Sequence, residues 1–236
     1  IDVDALAAKR EDQQIVYHAV LGHDLTETYS RKRLKLAEAR FVAGQLMRVD
    51  MSEMFSPERV TSVCKQYGLI PGQAMDIKNG FDFDLTADRK NAWDSILQDK
   101  LKLVIGSPPC TASSPLQEIS RAKRDPKVMG AELREAKKHV RFCTEVYRLQ
   151  LQGRRHFVHE HPEKSKAWEM PEITELLAHS EVGSVVLHMC AFGMTSTDEQ
   201  GEAPVKKGTR LMSSSEEVLK RVDRKCSNGS GGAHHR

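Results

Sequence analysis

The sequence has no apolar run long enough to span a bilayer and no leader-like segment, which sets membrane roles aside. It also lacks any Cys-x-x-Cys spacing. Its five cysteines, Cys64, Cys110, Cys143, Cys190 and Cys226, are odd in number and scattered, which argues against a disulfide framework or a treble-clef zinc site. This usage reads as an intracellular, reducing compartment, the nucleus if the source is eukaryotic. A start methionine is missing too: the chain begins at Ile1, as expected for a piece of a longer polypeptide whose other domains would be partners. No internal repeat is apparent.

Charge of one sign is not in large excess. The net charge of +3 names no partner, but the basic residues are uneven. Between Ile119 and Arg141 stand eight Lys or Arg (Arg121, Lys123, Arg124, Lys127, Arg134, Lys137, Lys138, Arg141) against three acids (Asp125, Glu132, Glu135). This stretch directly follows the most distinctive run in the chain, "LKLVIGSPPCTASS". There a run of buried-type aliphatics stops at two prolines, neither of which has an N–H to continue a ladder, and the next side chain is the Cys110 thiol.

Residues 1–49 contain no proline, and Leu34, Ala37, Phe41 and Leu46 follow a helical spacing, so this region reads as a helical N-terminal extension. Residues 50–215 read as short strands alternating with helices. "MSEMFS", "GQAMDI", "LKLVIG", "RHFVHE" and "GSVVLHMC" are the expected strands. "PERVTSVCKQYG", Asn91 to Gln98, Gly130 to Gln150 and Pro171 to His179 are the expected helices. That order implies an α/β fold with a doubly wound, mainly parallel sheet covered on both faces and a ligand site at the strands' carboxyl ends. Ser56, Asp76, Cys110 and Glu160 are expected at those ends. Residues 216–236 read as a C-terminal helix and a Gly/Ser-rich tail; Cys226, His234 and His235 lack a fixed fourth partner, so no metal is expected.

Three features make Cys110 a candidate nucleophile and not a small buried hydrophobe: the prolines that aim it, its place after a strand, and the cationic stretch beyond it. At this point the residues carry a resemblance. "GSPPCTASSPLQ" resembles the catalytic loop of DNA cytosine-5 methyltransferases, most closely a divergent phage and mobile-element branch with Ser-Pro-Pro-Cys-Thr. "EMFSPERV", "FVHEHPEKSKAW" and "CAFGM…PVKKGTRLMSS" resemble further blocks of that branch, in order, from about Glu53 to Ser215.

The resemblance implies a class I methyltransferase fold, S-adenosylmethionine as cofactor, and DNA, or else RNA, as partner. It implies a thiolate at Cys110 that adds to carbon 6 of cytosine and a protonated Glu160 that assists at N3. Phe55, Ser56, Asp76, Ile77, Asp84 (or Asp82) and Pro108 are the implied cofactor residues. Ser107, Pro109, Thr111, Lys207, Thr209 and Arg210 are the implied substrate residues, the last three alternatively a basic hairpin that contacts nothing. His159 and His161 flank Glu160 and serve packing, hydrogen bonding or the reaction.

Two departures stand out. "FSPERVTS" has no glycine where the ordinary family has a Gly-rich cofactor loop, and little chain beyond Cys190 remains for a target-recognition region. A catalytically degenerate domain that binds nucleic acid or a partner is therefore the rival reading. Amino-group methylation is a third, against which Cys110 counts, since an aromatic ring usually fills that slot.

Overall fold

The computed structural model describes residues 49–113, 124–199 and 201–227. They belong to a compact unit that begins at Val49. Apart from Val49, the expected N-terminal extension lies outside the described residues, as do Arg121, Lys123 and the tail with His234 and His235.

Four parallel strands form the sheet's first part: β1 (Met51–Met54), β2 (Pro71–Met75), β3 (Leu103–Gly106) and β4 (His156–Pro162). Two more complete it, β5 (Gly183–His188) and β8 (Gly208–Ser213), in the order β2-β1-β3-β4-β8-β5. Between them in sequence, β6 (Thr195–Asp198) and β7 (Gly201–Pro204) pair as a separate two-stranded ribbon. The chain turns one way from β1 to β2 and the other way to β3. This leaves a crevice beyond the carboxyl ends of β1 and β3, the place where ligands bind in sheets of this Rossmann-like kind.

One expectation needs correction here. "PVKKGTR" is not a free basic hairpin: Gly208–Ser213 is a sheet strand that runs antiparallel between β4 and β5. Its burial falls on Thr209, Met212 and Ser213, so the two-residue period is broken and the preceding lysines mask it. A second correction concerns "PERVTSVCKQYG", which forms a 3-10 helix over Thr61–Tyr67, capped by Gly68 at φ 70°.

The helices are unevenly distributed. α1 (Thr86–Asp99), α2 (Pro126–Gln152) and α3 (Pro171–Leu177) supply Ala92, Ile96, Val140, Val146, Tyr147 and Ile173 to one core. The sheet supplies Met54, Val104, Phe157 and Met212 to the same core. On the opposite face lie the Thr61–Tyr67 helix, whose Cys64 meets Met51, and α4 (Glu216–Val222), whose Leu219 abuts Gly183. Both-sided cover is thus present, with the main core on one side.

α2 seats closely because Gly106 has no side chain. A Cβ there would overlap the Tyr147 hydroxyl and lie 3.2 Å from Cys143 Sγ. Tyr147 then stacks on Phe157 at 4.4 Å and reaches His159 Nδ1 at 3.0 Å. Gly106→Ala is expected to lose roughly 1–3 kcal/mol of unfolding free energy by overpacking. Denaturant unfolding in a Tyr147→Phe background, which removes the overlapping oxygen, should recover part of that loss; an equal loss in both backgrounds would place the strain elsewhere.

Candidate active site

The loop after β1 is built around a carboxylate instead of glycines. Glu53 is buried and accepts from Thr61 N (2.7 Å), Thr61 Oγ1 (2.7 Å), Arg59 N (3.1 Å) and Ser56 Oγ (3.0 Å). Four donors on one carboxylate satisfy its lone pairs and fold residues 56–61 into a fixed bend. Phe55 takes the left-handed conformation at φ 57°, a conformation that favours glycine, and its ring packs on Phe83 (4.3 Å) and against His139 (5.1 Å).

Beyond β2, Asp76 accepts from Lys78 N at 3.0 Å and caps a short 3-10 turn, which leaves Ile77 71% exposed. A carboxylate beside an exposed aliphatic at a strand end offers an acceptor for hydroxyls and an apolar face for a planar ring. Asp84 receives His139 Nε2 at 2.9 Å, and Asp82 accepts from Asp84 N at 3.0 Å. Of the two aspartates in "FDFDL", Asp84 is therefore tied to the ring that packs on Phe55. The other nitrogen of that ring, His139 Nδ1, is buried with no hydrogen-bond partner.

After β3, Ser107 N donates to Met54 O (3.1 Å), Pro108 is buried, and Pro109 is exposed. Cys110 is half-buried at the start of a 3-10 turn over Thr111–Ser113, with its carbonyl accepting from Ser113 N (3.1 Å) and Ser113 Oγ (3.0 Å). The same Ser113 Oγ lies 3.3 Å from His161 Nε2 and accepts from Ser165 Oγ at 2.9 Å. Ser113, three residues after the thiol, thereby binds the Cys110 loop to His161, the residue next to Glu160 on β4. Two other thiols are sealed: burial pushes Cys143 up to about 12 and is the main reason Cys64 is raised. Neither is a thiolate near neutral pH.

Glu160 was expected at the end of its strand, and the structure refines that. The parallel ladder of β3 with β4 ends at Gly106 and His159, whereas β4 continues through Pro162 paired only with β8. Glu160 stands on this overhang, one step past Gly106, at the level where the Ser107–Cys110 loop begins. Burial raises its carboxyl above the usual carboxylate range, against the opposing pull of Lys207 and Arg59. Directly below, His159 and His161 stack at 5.4 Å, both edge-on to Trp168. Burial keeps both neutral, His159 well below its ordinary value and His161 at about 4.

The β8 residues divide. Alternation puts Thr209 on the Glu160 face, buried with its hydroxyl unpartnered, and the electrostatic pull of Lys207 reaches the same carboxyl. Arg210 does not join them. It is opposite His161 in register, so it points to the other face, where its guanidinium lies 4.6 Å over Trp168 and donates to Ser184 Oγ. The basic stretch is also quieter than its count. Arg124 pairs with Glu132, Lys138 with Glu135 and Arg141 with Glu172, leaving Lys127, Arg134 and Lys137 without an acidic partner among the described residues. Among those residues no three His, Cys, Asp or Glu side chains gather as metal ligands, and no helix is long and apolar enough to cross a membrane.

In the sequence Glu53 stands only as the first residue of a motif, and Arg59, Ser113 and Ser165 carry no legible role. The Glu-x-x-Ser spacing at a strand end was the available signal for the first. No protein-family model, curated protein or solved structure matches the chain.

Two outcomes follow from the buried ionisable groups. Because Glu160 holds its proton more tightly folded than unfolded, the folded state binds more protons once pH passes the ordinary carboxylate value. Its contribution to stability therefore falls as pH rises. Glu160→Gln should raise Tm relative to wild type, by more at pH near 8 than near 4; a constant or negative difference would show that the carboxyl is not desolvated. The histidines have the opposite slope. The unfolded chain takes up protons below about 6.5 that the buried rings refuse, so stability drops as pH falls toward about 4. Thermal melts across that window should show a shallower drop in His161→Gln.

Proposed function

We propose that the chain is an S-adenosylmethionine-dependent methyltransferase of the class I type, acting on carbon 5 of cytosine in DNA. The observation that carries this reading is the setting of Glu160. It is a carboxyl kept toward its protonated form by burial, on a strand overhang that Ser113 and His161 bind to the Cys110 loop. Cytosine carbon 5 is a poor nucleophile until something adds at carbon 6, and these two groups are suited to that addition.

Cys110 Sγ, as thiolate, forms a bond to carbon 6, and the electron pair released moves toward N3. A protonated Glu160 donates there and neutralises the developing charge. Arg59 and Lys207 oppose the rise in the Glu160 pKa that burial causes. Once carbon 5 has gained a methyl group, its proton is lost to a base, the C–S bond breaks with Cys110 leaving as thiolate, and N3 returns its proton to Glu160, which restores the ring and both side chains.

The methyl electrophile is the chemistry that S-adenosylmethionine supplies when bound. The residues present fit it at the adenosine end, where the Asp76 carboxylate and exposed Ile77 stand together, with Asp84 beyond. Phe55, Ser56 and Pro108 would hold the remainder at the β1/β3 crevice, with the Glu53-bound bend in place of a glycine cradle. The target base must leave the duplex to reach Cys110. Ser107, Pro109 and Thr111 border it, and Lys127, Arg134 and Lys137, the described cations of the basic stretch without acidic partners, are available for phosphates.

A second reading, a binding domain without catalysis, is favoured by the glycine-free loop and by Arg210 facing away from Glu160. One experiment separates them. With labelled S-adenosylmethionine and DNA containing 5-fluorocytosine, wild-type protein should form a denaturant-stable adduct that Cys110→Ser abolishes. Glu160→Gln should slow it by roughly 10²–10⁴-fold. An adduct that survives Cys110→Ser would sink the mechanism; no adduct and no calorimetric heat with the cofactor would establish the second reading. An RNA version of the oligonucleotide identifies the polymer.

A further inference from the structure

β5 is an outer strand, paired with β8 on one side only. Its other edge is covered by the segment that follows α4. His188 N donates to Arg224 O at 3.0 Å, Cys226 N donates to His188 Nδ1 at 2.9 Å, and Lys225 Nζ reaches Val186 O. Arg224 adds a cation–π contact, 5.2 Å over the Phe192 ring. These contacts bring Cys226 to the end of β5, where the 3-10 turn Met189–Phe192 carries Cys190. Burial first, and the neighbouring Cys226 side chain second, raise the Cys190 thiol above its ordinary value, and both cysteines are half-buried, open enough for a small reagent to enter. Cys143 and Cys64, by contrast, are sealed in the fold.

We propose that Cys190 and Cys226 form a redox couple that a hydroperoxide converts into an intramolecular disulfide. Cys226 Sγ attacks one peroxide oxygen, the O–O bond breaks, and the leaving hydroxide takes up the thiol proton as water. Cys226 is then a sulfenic acid. Cys190 Sγ attacks that sulfur, forming the S–S bond and expelling hydroxide, which leaves with the Cys190 proton as a second water. In sum, two thiols are oxidised and one hydrogen peroxide is reduced to two waters.

The bridge closes a ring that contains the β6–β7 ribbon, β8 and α4. It fastens the segment after α4 to the edge strand, so opening that edge becomes harder by the loop-closure argument. The inference is independent of the methyltransferase reading.

Treatment of the full chain with hydrogen peroxide tests it. Differential alkylation should show two of the five thiols lost, a mass lower by two hydrogens, and a cross-linked peptide pair joining Cys190 to Cys226. Dithiothreitol should restore both thiols, and Tm should be higher in the oxidised form. In Cys226→Ser the paired loss should vanish. Bridges through Cys110, bridges between chains, or separate sulfinic acids at the two positions would overturn the proposal. If the variant fails to fold, the peptide map of the wild-type chain decides alone.

Discussion

The missing side chain at Gly106 is the constraint on which the arrangement depends. It lets α2 lie against the sheet closely enough for the Tyr147 hydroxyl to enter the layer of the strands and bond to His159. That bond fixes one ring of the histidine pair, and the pair supports the strand on which Glu160 rides. A larger residue would move α2 outward and with it the packing of Phe157, Trp168 and Met212. Close packing transmits such a shift, because the interior has no slack to absorb it.

The second organising element is a substitution of one kind of physics for another. A glycine-rich turn brings backbone amides close together by removing Cβ atoms. In this chain the Glu53 carboxylate gathers amides instead, from Arg59 and Thr61, and adds two hydroxyls. The geometry is held by charge-assisted hydrogen bonds and not by permissive torsions, so the loop keeps bulky residues and Phe55 carries the left-handed torsion itself. Its cost is a buried charge that must remain fully partnered.

Much of the frame is legible in the sequence. "LKLVIG" followed by two prolines names a buried strand and its end, and the alternation of short apolar runs with helical spacing names an α/β sheet with parallel strands. β8 was not legible, because "GTRLMS" carries a glycine and an arginine and follows two lysines. Its strand character comes from the slot between β4 and β5 and not from its own pattern. The overhang of β4 was hidden for the same reason: pairing length depends on a partner far along the chain. Arg210 shows the limit for side chains. The resemblance implied a place for it in the substrate site, but one step of alternation sends it to Trp168.

The segment over the outer edge of β5 has a meaning beyond its own contacts. An uncovered outer strand offers a row of unpaired amides and carbonyls to any other extended chain. Arg224 O takes the His188 amide and Lys225 reaches Val186 O, so this segment covers the end of that row with two cationic residues. The opposite edge is guarded differently, by a five-residue β2 that opens with Pro71 and Gly72. Shortening the chain before Arg224 would leave the His188 amide and the Val186 carbonyl at the end of the β5 edge without these contacts.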